Sequence, residues 1–296
     1  MIVLVFGANG QVGRELMRAA GSLGAVVAAT RSGFFNGARC EKADLSVPVT
    51  LQALLDRIQP ELVINAAAYT AVDDAESDFE LAHMVNAAAP AEMAAWCAAR
   101  RKRFVQYSTD YVFDGTSRRA YREDDLATPI NVYGVTKLLG EQAVRKIGGK
   151  YSIIRTAGVY SRWGRNFVRT MLELARRGDP IRVVDDQVNT PTPASLVADA
   201  TIRMMRMPDR CLGTWHLTPG GKASWFEFSN FVLKEASAAG LISFSPQVEP
   251  VSSCDYVTTA RRPAWSVLDN TRVQCDFGMA LPEWQEALKQ ELLLSW

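Results

Sequence analysis

A doubly wound parallel α/β sheet is predicted for most of this chain by two observations. Short, almost continuously apolar runs alternate with amphipathic helical stretches, and a glycine-punctuated turn follows directly on the first run. Runs that are apolar at successive positions belong to strands covered on both faces, as parallel strands are. The alternating rhythm then leads to one sheet with helices on each side.

The elements follow in order. Strands are expected at 2–6, 25–29, 62–65, 104–107 and 151–155, with a weaker one just before Asp44. Helical periodicity covers 11–23, 49–58, 79–99 and 133–146. Beyond about residue 156 the rhythm loosens. A helix is expected over 166–177 and a strand over 181–184, and Pro193 suits the first turn of a helix reaching about Met205. Ser224 and Glu227 have capping-box spacing ahead of a helix to about Ala238, and Pro282 opens a terminal helix. Residues 241–262 read as irregular, suited to a loop-rich lobe over a cleft.

With 296 residues, 48% of them hydrophobic, the chain can bury a large core as one big domain or two smaller ones. Its 33 basic and 32 acidic residues leave a net charge of +1, so no electrostatic footprint for nucleic acid or an anionic membrane is present. The cluster Arg100-Arg101-Lys102-Arg103 falls between a helix and a strand, where cations suit a helix C-terminus. Cys40, Cys97, Cys211, Cys254 and Cys275 are scattered without metal-ligand spacing, which suggests reduced thiols. The run 2–6 lacks a basic leader and no apolar stretch reaches membrane-spanning length, so a soluble, cytoplasmic protein is expected.

Gly7, Gly10 and Gly13 punctuate the turn between the first strand and the first helix. Glycines there let the backbone approach a pyrophosphate, which sits at the positive helix N-terminus. This predicts a Rossmann-like dinucleotide-binding domain over 1–156, to which later segments return, and a smaller C-terminal lobe over 157–296 that is mainly substrate-binding. At the end of the second strand, Thr30-Arg31-Ser32 stands where a carboxylate would hydrogen-bond the 2′-hydroxyl of NAD. Arg31 suits a 2′-phosphate, favouring NADPH while NADH stays possible; a solvated surface cation is the plainer alternative. Asp44, next to Leu45, is either near the adenine or simply solvated. Ala66, Ala67 and Ala68 follow the 62–65 strand, where small residues permit close approach of a cofactor or tight packing.

The strand at 104–107 runs into Ser108, Thr109 and Asp110, at the strand end where ligands bind in open α/β sheets. Tyr133 and Lys137 then fall four residues apart on the next helix and share a face. The ammonium is expected to lower the tyrosine pKa from about 10 toward neutrality. A phenol so tuned exchanges a proton with a carbonyl or alcohol oxygen. Tyr-x-x-x-Lys alone is common; its order after the glycine turn and the Ser-Thr pair gives it weight.

Taken with Asp73, Asp74 and Glu76 after Thr70, with Glu141, Arg155-Thr156, Gly164 to Phe167, Asp186-Gln187, Pro191-Thr192, Arg262-Pro263 and Ser266 to Asp269, these motifs resemble the extended short-chain dehydrogenase/reductase family over nearly the whole chain. The resemblance implies NAD(P)H-dependent reduction of the C4 ketone of dTDP-4-dehydro-6-deoxy-L-mannose to dTDP-L-rhamnose, for a rhamnose-containing lipopolysaccharide or wall polymer. It implies Tyr133 as proton donor, Thr109 on the reacting oxygen, and Lys137 tuning Tyr133 and fixing the ribose. Cofactor contacts are implied around Gly7, Gly10, Gln11, Val12, Gly13, Asp44, Leu45 and Ala66 to Ala68. Substrate contacts are implied at Thr109, Asp110, Asn166, Gln187 and Arg262. A monomer or homodimer follows from the resemblance, as does possible magnesium binding, although no metal-ligand cluster stands in the sequence.

One departure bears on the substrate. Related reductases carry a tryptophan in the Arg-Thr-x-x-Val segment, where this chain has Gly158. Losing a large ring removes a stacking wall, leaving the exact sugar and nucleotide open but not the hydride chemistry. The alternatives are a reductase of another nucleotide-linked 4-ketosugar, an epimerase on the same fold, and a non-catalytic regulatory subunit. A dehydratase would place an acidic pair after Thr109; here Tyr111 follows Asp110.

Overall fold

The computed structural model describes residues 1–207, 210–294 and 296. Seven parallel strands make the central sheet: β1 (Ile2–Phe6), β2 (Ala25–Thr30), β3 (Glu41–Lys42), β4 (Leu62–Asn65), β5 (Arg103–Thr109), β6 (Lys150–Thr156) and β7 (Gly213–His216). Their spatial order is β7-β6-β5-β4-β1-β2-β3, so the chain starts mid-sheet and winds outward both ways. The direction reverses between β1 and β4, and the crevice at the C-terminal strand ends there is where such sheets take ligands.

Helices cover both faces. They are α1 (Gln11–Ala19), α2 (Thr50–Ile58), α3 (Ala89–Ala99), α4 (Val132–Ile147), α5 (Phe167–Arg177), α6 (Ala194–Met205), α7 (Trp225–Ala238), α8 (Thr271–Phe277) and α9 (Trp284–Leu292). On one face Val3, Val5, Ile64 and Val105 pack with Leu16 of α1, Val197 of α6 and Phe277 of α8. On the other, Leu4, Phe6, Val63 and Phe104 pack with Leu55 of α2, Met93 of α3 and Val144 of α4. Alternate strand residues serve opposite faces and both faces are apolar, which is why the runs are continuous. A third cluster joins α5, α7 and α9 to the parallel pair Ile181–Val184 and Val248–Val251.

Several expectations are adjusted. The 79–99 helix is three pieces: Phe79–His83, a π-helical turn Met84–Ala88, and α3. The helix expected over 11–23 stops at Ala19 and tightens into a 3₁₀ turn, Ala20–Leu23. The segment 241–262 is not wholly irregular, because Val248–Val251 is a strand of the second lobe. The capping box at Ser224 and Glu227 forms as expected, with Glu227 N–H to Ser224 Oγ at 3.0 Å and Ser224 N–H to Glu227 Oε2 at 2.8 Å. Among the described residues no helix is long and apolar enough to cross a membrane, and none of the five cysteines is joined in a disulfide.

Candidate active site

The cofactor side begins where β1 ends. Gly7 turns the chain with φ +73°, and a side chain on it would meet the Ala66–Ala67 backbone at 2.6–2.9 Å. A Cβ on Gly13 would collide with the Gly7 carbonyl. This close packing brings the loop after β4 against the start of α1, whose Gly10 cap offers no side chain to its first N–H groups. Uncapped donors at a positive helix end form an anion cradle that fits a pyrophosphate. Gln11 lines it and accepts a hydrogen bond from Ser161 Oγ at 3.1 Å, which ties the loop after residue 160 to the cradle.

The flanking candidates separate. Arg31 is exposed at the exit of β2, whereas the Thr30 hydroxyl is turned inward, accepting from Gly33 and Phe34 N–H at 3.1 and 3.2 Å. Asp44 Oδ1 accepts from Ser46 Oγ at 2.7 Å and Ser46 N–H at 3.0 Å. Those bonds hold its carboxyl below the usual range against a smaller effect of burial. Leu45 is part of the core beneath α2, so only its backbone can face a ligand. Ala66, Ala67 and Ala68 are each half-buried beside the cradle.

The reaction side is built on β5 and α4. Thr109 caps a 3₁₀ turn, Asp110–Val112, accepting from Tyr111 N–H at 3.2 Å and donating to Asp110 Oδ1 at 3.0 Å. The Tyr133 hydroxyl lies beside Thr109. Tyr111 lies edge-on to Tyr133, ring centroids 5.9 Å apart. Asn131 caps α4 by accepting from Gly134 N–H at 2.8 Å, and it donates to the Arg261 carbonyl at 2.8 Å. Lys137 is buried, with Nζ donating to the Tyr107 carbonyl at 2.7 Å.

Electrostatics correct one expectation. Tyr133 is not lowered toward neutrality: burial pushes it up to about 12, opposed by the Thr109 hydrogen bond and reinforced by Asp110. The i, i+4 spacing puts Lys137 on the right face, with one N–H given to the Tyr107 carbonyl, but its charge does not outweigh the burial of the phenol. Burial brings Lys137 down to about 8, partly offset by the Glu141 carboxylate. Burial raises Asp110 to about 6 against hydrogen bonds from Ser266 and Thr109. Glu141 is itself completely buried and accepts from Arg155 Nε at 2.8 Å, Arg155 Nη2 at 2.7 Å and Arg145 Nη2 at 2.6 Å.

The substrate candidates from the second lobe divide. Arg262 Nη2 pairs with Asp73 at 2.6 Å, while its Nη1 is buried without a partner. Gln187 Nε2 donates to Ser253 Oγ at 2.8 Å. Asn166 caps α5, its Oδ1 accepting from Arg169 N–H at 3.2 Å and its Nδ2 donating to the Ser161 carbonyl at 2.6 Å, so its amide is committed to the loop. Asp73 and Ser266 were missed as site residues. Each acts through a neighbour far away in sequence, a signal that spacing does not carry. Among the described residues no group of three or more His, Cys, Asp or Glu side chains could hold a metal ion. Nothing in the geometry supports the magnesium that the resemblance allows.

A Rossmann-like sheet, a glycine cradle and a Thr–Tyr–Lys cluster at its mouth together define a nicotinamide-dependent oxidoreductase of the short-chain dehydrogenase/reductase class. Similarity to known proteins narrows the class. The family model described as RmlD substrate binding domain matches residues 1–294. The chain is 41% identical to a dTDP-4-dehydrorhamnose reductase of Burkholderia thailandensis, covering 97% of each. It is 38% identical to one of Escherichia coli K12, covering 99% of this chain and 97% of the relative. The crystal structure of dTDP-4-dehydrorhamnose reductase from Bacillus anthracis in complex with NADP matches with a TM-score of 0.90 at 30% identity, covering 99% of both chains. The chain belongs to the dTDP-4-dehydrorhamnose reductase family.

Proposed function

We infer that this chain reduces the C4 ketone of dTDP-4-dehydro-6-deoxy-L-mannose to dTDP-L-rhamnose, with NADPH as the favoured reductant. The observation that carries the chemistry is Thr109 at the C-terminal end of β5 beside Tyr133, with buried Lys137 one turn along α4. Residues 1–156, with later returns such as β7 and α8, hold the cofactor; residues 157–296 mainly supply the substrate lobe. The first turn of α1 from Gly10 to Gly13 takes the pyrophosphate, with Arg31 toward a 2′-phosphate. When bound, the reduced nicotinamide supplies hydride to the sugar C4.

The chain's own residues do the rest. Thr109 and Tyr133 converge on the C4 oxygen, and Tyr133 delivers the proton as negative charge develops there. A pKa raised to about 12 suits this direction of reaction, because the donor stays protonated at neutral pH and an alkoxide is more basic still. Lys137 has two N–H donors beyond the Tyr107 carbonyl for the ribose hydroxyls, and its charge steadies the phenolate left behind. Arg262 offers its free Nη1 to the substrate.

The test is NADPH consumption with dTDP-4-dehydro-6-deoxy-L-mannose generated in situ. Coupled appearance of dTDP-L-rhamnose supports the reading; NADPH binding without turnover rejects this substrate. The specific observation favouring another nucleotide-linked 4-ketosugar is Gly158, so that substrate class is assayed second. Tyr111 beside Tyr133 puts a phenol where elimination would need an acid.

Two outcomes check the parts. Arg31→Ala should weaken NADPH by about tenfold or more, the scale of one lost charge-assisted contact, while NADH changes little; equal losses reject the 2′-phosphate role. The free enzyme's kcat/KM should fall as pH rises through about 8, where Lys137 loses its charge. A rate flat to pH 10 would mean that the ammonium is not required.

A further inference from the structure

The strongest unexplained feature lies beside Gly158, two residues past the end of β6. Gly158 has φ +51°, and a Cβ there would stand 2.8 Å from Oδ1 of Asn189. That oxygen is buried without a hydrogen-bond partner, in a residue only 6% exposed. A buried polar atom left unsatisfied costs stability, so it calls for a partner that binding supplies.

Its position says what the partner is. Thr156 pairs in register with Thr109, so Gly158 lies two residues, about 7 Å, beyond the strand position beside the reacting oxygen. Thr192 N–H bonds the Gly158 carbonyl at 3.2 Å. The segment carrying Asn189 is held on its other side by Val188 N–H to the Ala264 carbonyl at 2.8 Å and Ser266 N–H to the Val188 carbonyl at 2.9 Å. Ser266 in turn lies beside Asp110, the residue after Thr109. Asn189 is therefore tied, through Val188, Ser266 and Asp110, to the strand end that carries Thr109.

We propose that Asn189, whose Oδ1 is given room by glycine at 158, is a specificity-determining residue that reads a ring hydroxyl of the substrate hexose. A hydroxyl both donates and accepts, so it satisfies the amide in either orientation. Glycine at 158 is then a requirement of the amide at 189: any side chain at 158 crowds Oδ1, and the left-handed backbone there disfavours one anyway. The wall of the pocket is polar and hydroxyl-selective in place of an aromatic stacking surface. This rests on the nucleotide-sugar reading above.

The experiment measures the affinity of dTDP-L-rhamnose and of its 2-deoxy and 3-deoxy analogues in the presence of NADP⁺, for wild type, Asn189→Ala and Gly158→Ala. Wild type should bind the parent about tenfold or more tighter than one of the two analogues. In Asn189→Ala that ratio should fall to within about twofold, with the weaker analogue's affinity unchanged. Gly158→Ala, which keeps the amide but crowds it, should also weaken the parent. Equal binding of the parent and both analogues by wild type overturns the proposal and needs no variant to fold. So does an equal loss for all three ligands in Asn189→Ala. Turnover of the 4-ketosugar is scored separately: turnover without discrimination sinks only this inference, and discrimination without turnover sinks only the assigned reaction.

Discussion

Tyr133→Phe should lower kcat about 10²–10⁴-fold while NADPH affinity stays within about twofold, measured by single-turnover kinetics and by cofactor titration. The variant removes one hydroxyl and keeps the ring against Tyr111, so packing of α4 is preserved. What is lost is the hydroxyl proposed as proton donor, which lies beside Thr109. The cradle at Gly7 to Gly13 is built from different elements and does not depend on that hydroxyl. A parallel loss of NADPH affinity would make Tyr133 a structural prop of the cofactor site, and near-normal turnover would require another acid.

The second large effect concerns Glu141. Its carboxylate is fully buried against Arg155 and Arg145, and Arg155 is itself only 2% exposed. Removing one partner of such a group leaves a buried charge uncompensated, at about 3–5 kcal/mol. Glu141→Gln should show that loss in chemical denaturation. The pH dependence follows in sign. Burial alone would raise the Glu141 pKa, but the hydrogen bonds and charge of Arg155, with Arg145, outweigh it and hold the group below its ordinary value. Its contribution is therefore fully present above the unfolded pKa of about 4.3 and is lost as pH falls through the lower folded value. Glu141→Gln should lack that acid slope. If the variant matched wild type in midpoint and slope, the buried pair would be energetically idle.

The sheet was legible because burial on both faces writes itself as uninterrupted apolar residues, as at Val3 to Phe6. β7 was not, since Gly213-Thr214-Trp215-His216 has neither that run nor an alternation. Pro250 similarly disguised the strand Val248–Val251, which pairs along the lobe's edge. Helical periodicity continues through Met84–Ala88, so the π turn leaves no trace in the pattern. In the site, the order of glycine turn, Ser-Thr pair and Tyr-x-x-x-Lys named residues that the fold sets at the ends of β1 and β5 and at the start of α4. The tyrosine's proton affinity was misjudged because spacing reports which charges are near, while burial, the larger influence, depends on the whole fold. The Arg262–Asp73 and Asp110–Ser266 pairs are likewise products of tertiary structure.

The π turn has one more consequence. Its Asn86 side chain accepts from Tyr69 N–H at 2.9 Å and donates to the Tyr69 carbonyl and to Thr136 Oγ1, both at 3.1 Å. Gly140 abuts the Asn86 carbonyl so closely that a Cβ would overlap it, and Gly134 stands in the same relation to the Tyr111 carbonyl. Two backbone stops six residues apart, one directly after Tyr133 and one three residues past Lys137, thus seat α4 on its neighbours. A surface loop absorbs a change of length by bulging, but a single residue gained or lost between 134 and 140 would turn one stop against the other by about 100° and put phenol and ammonium out of register with the site. Length variation among functioning descendants of this chain should therefore spare that interval.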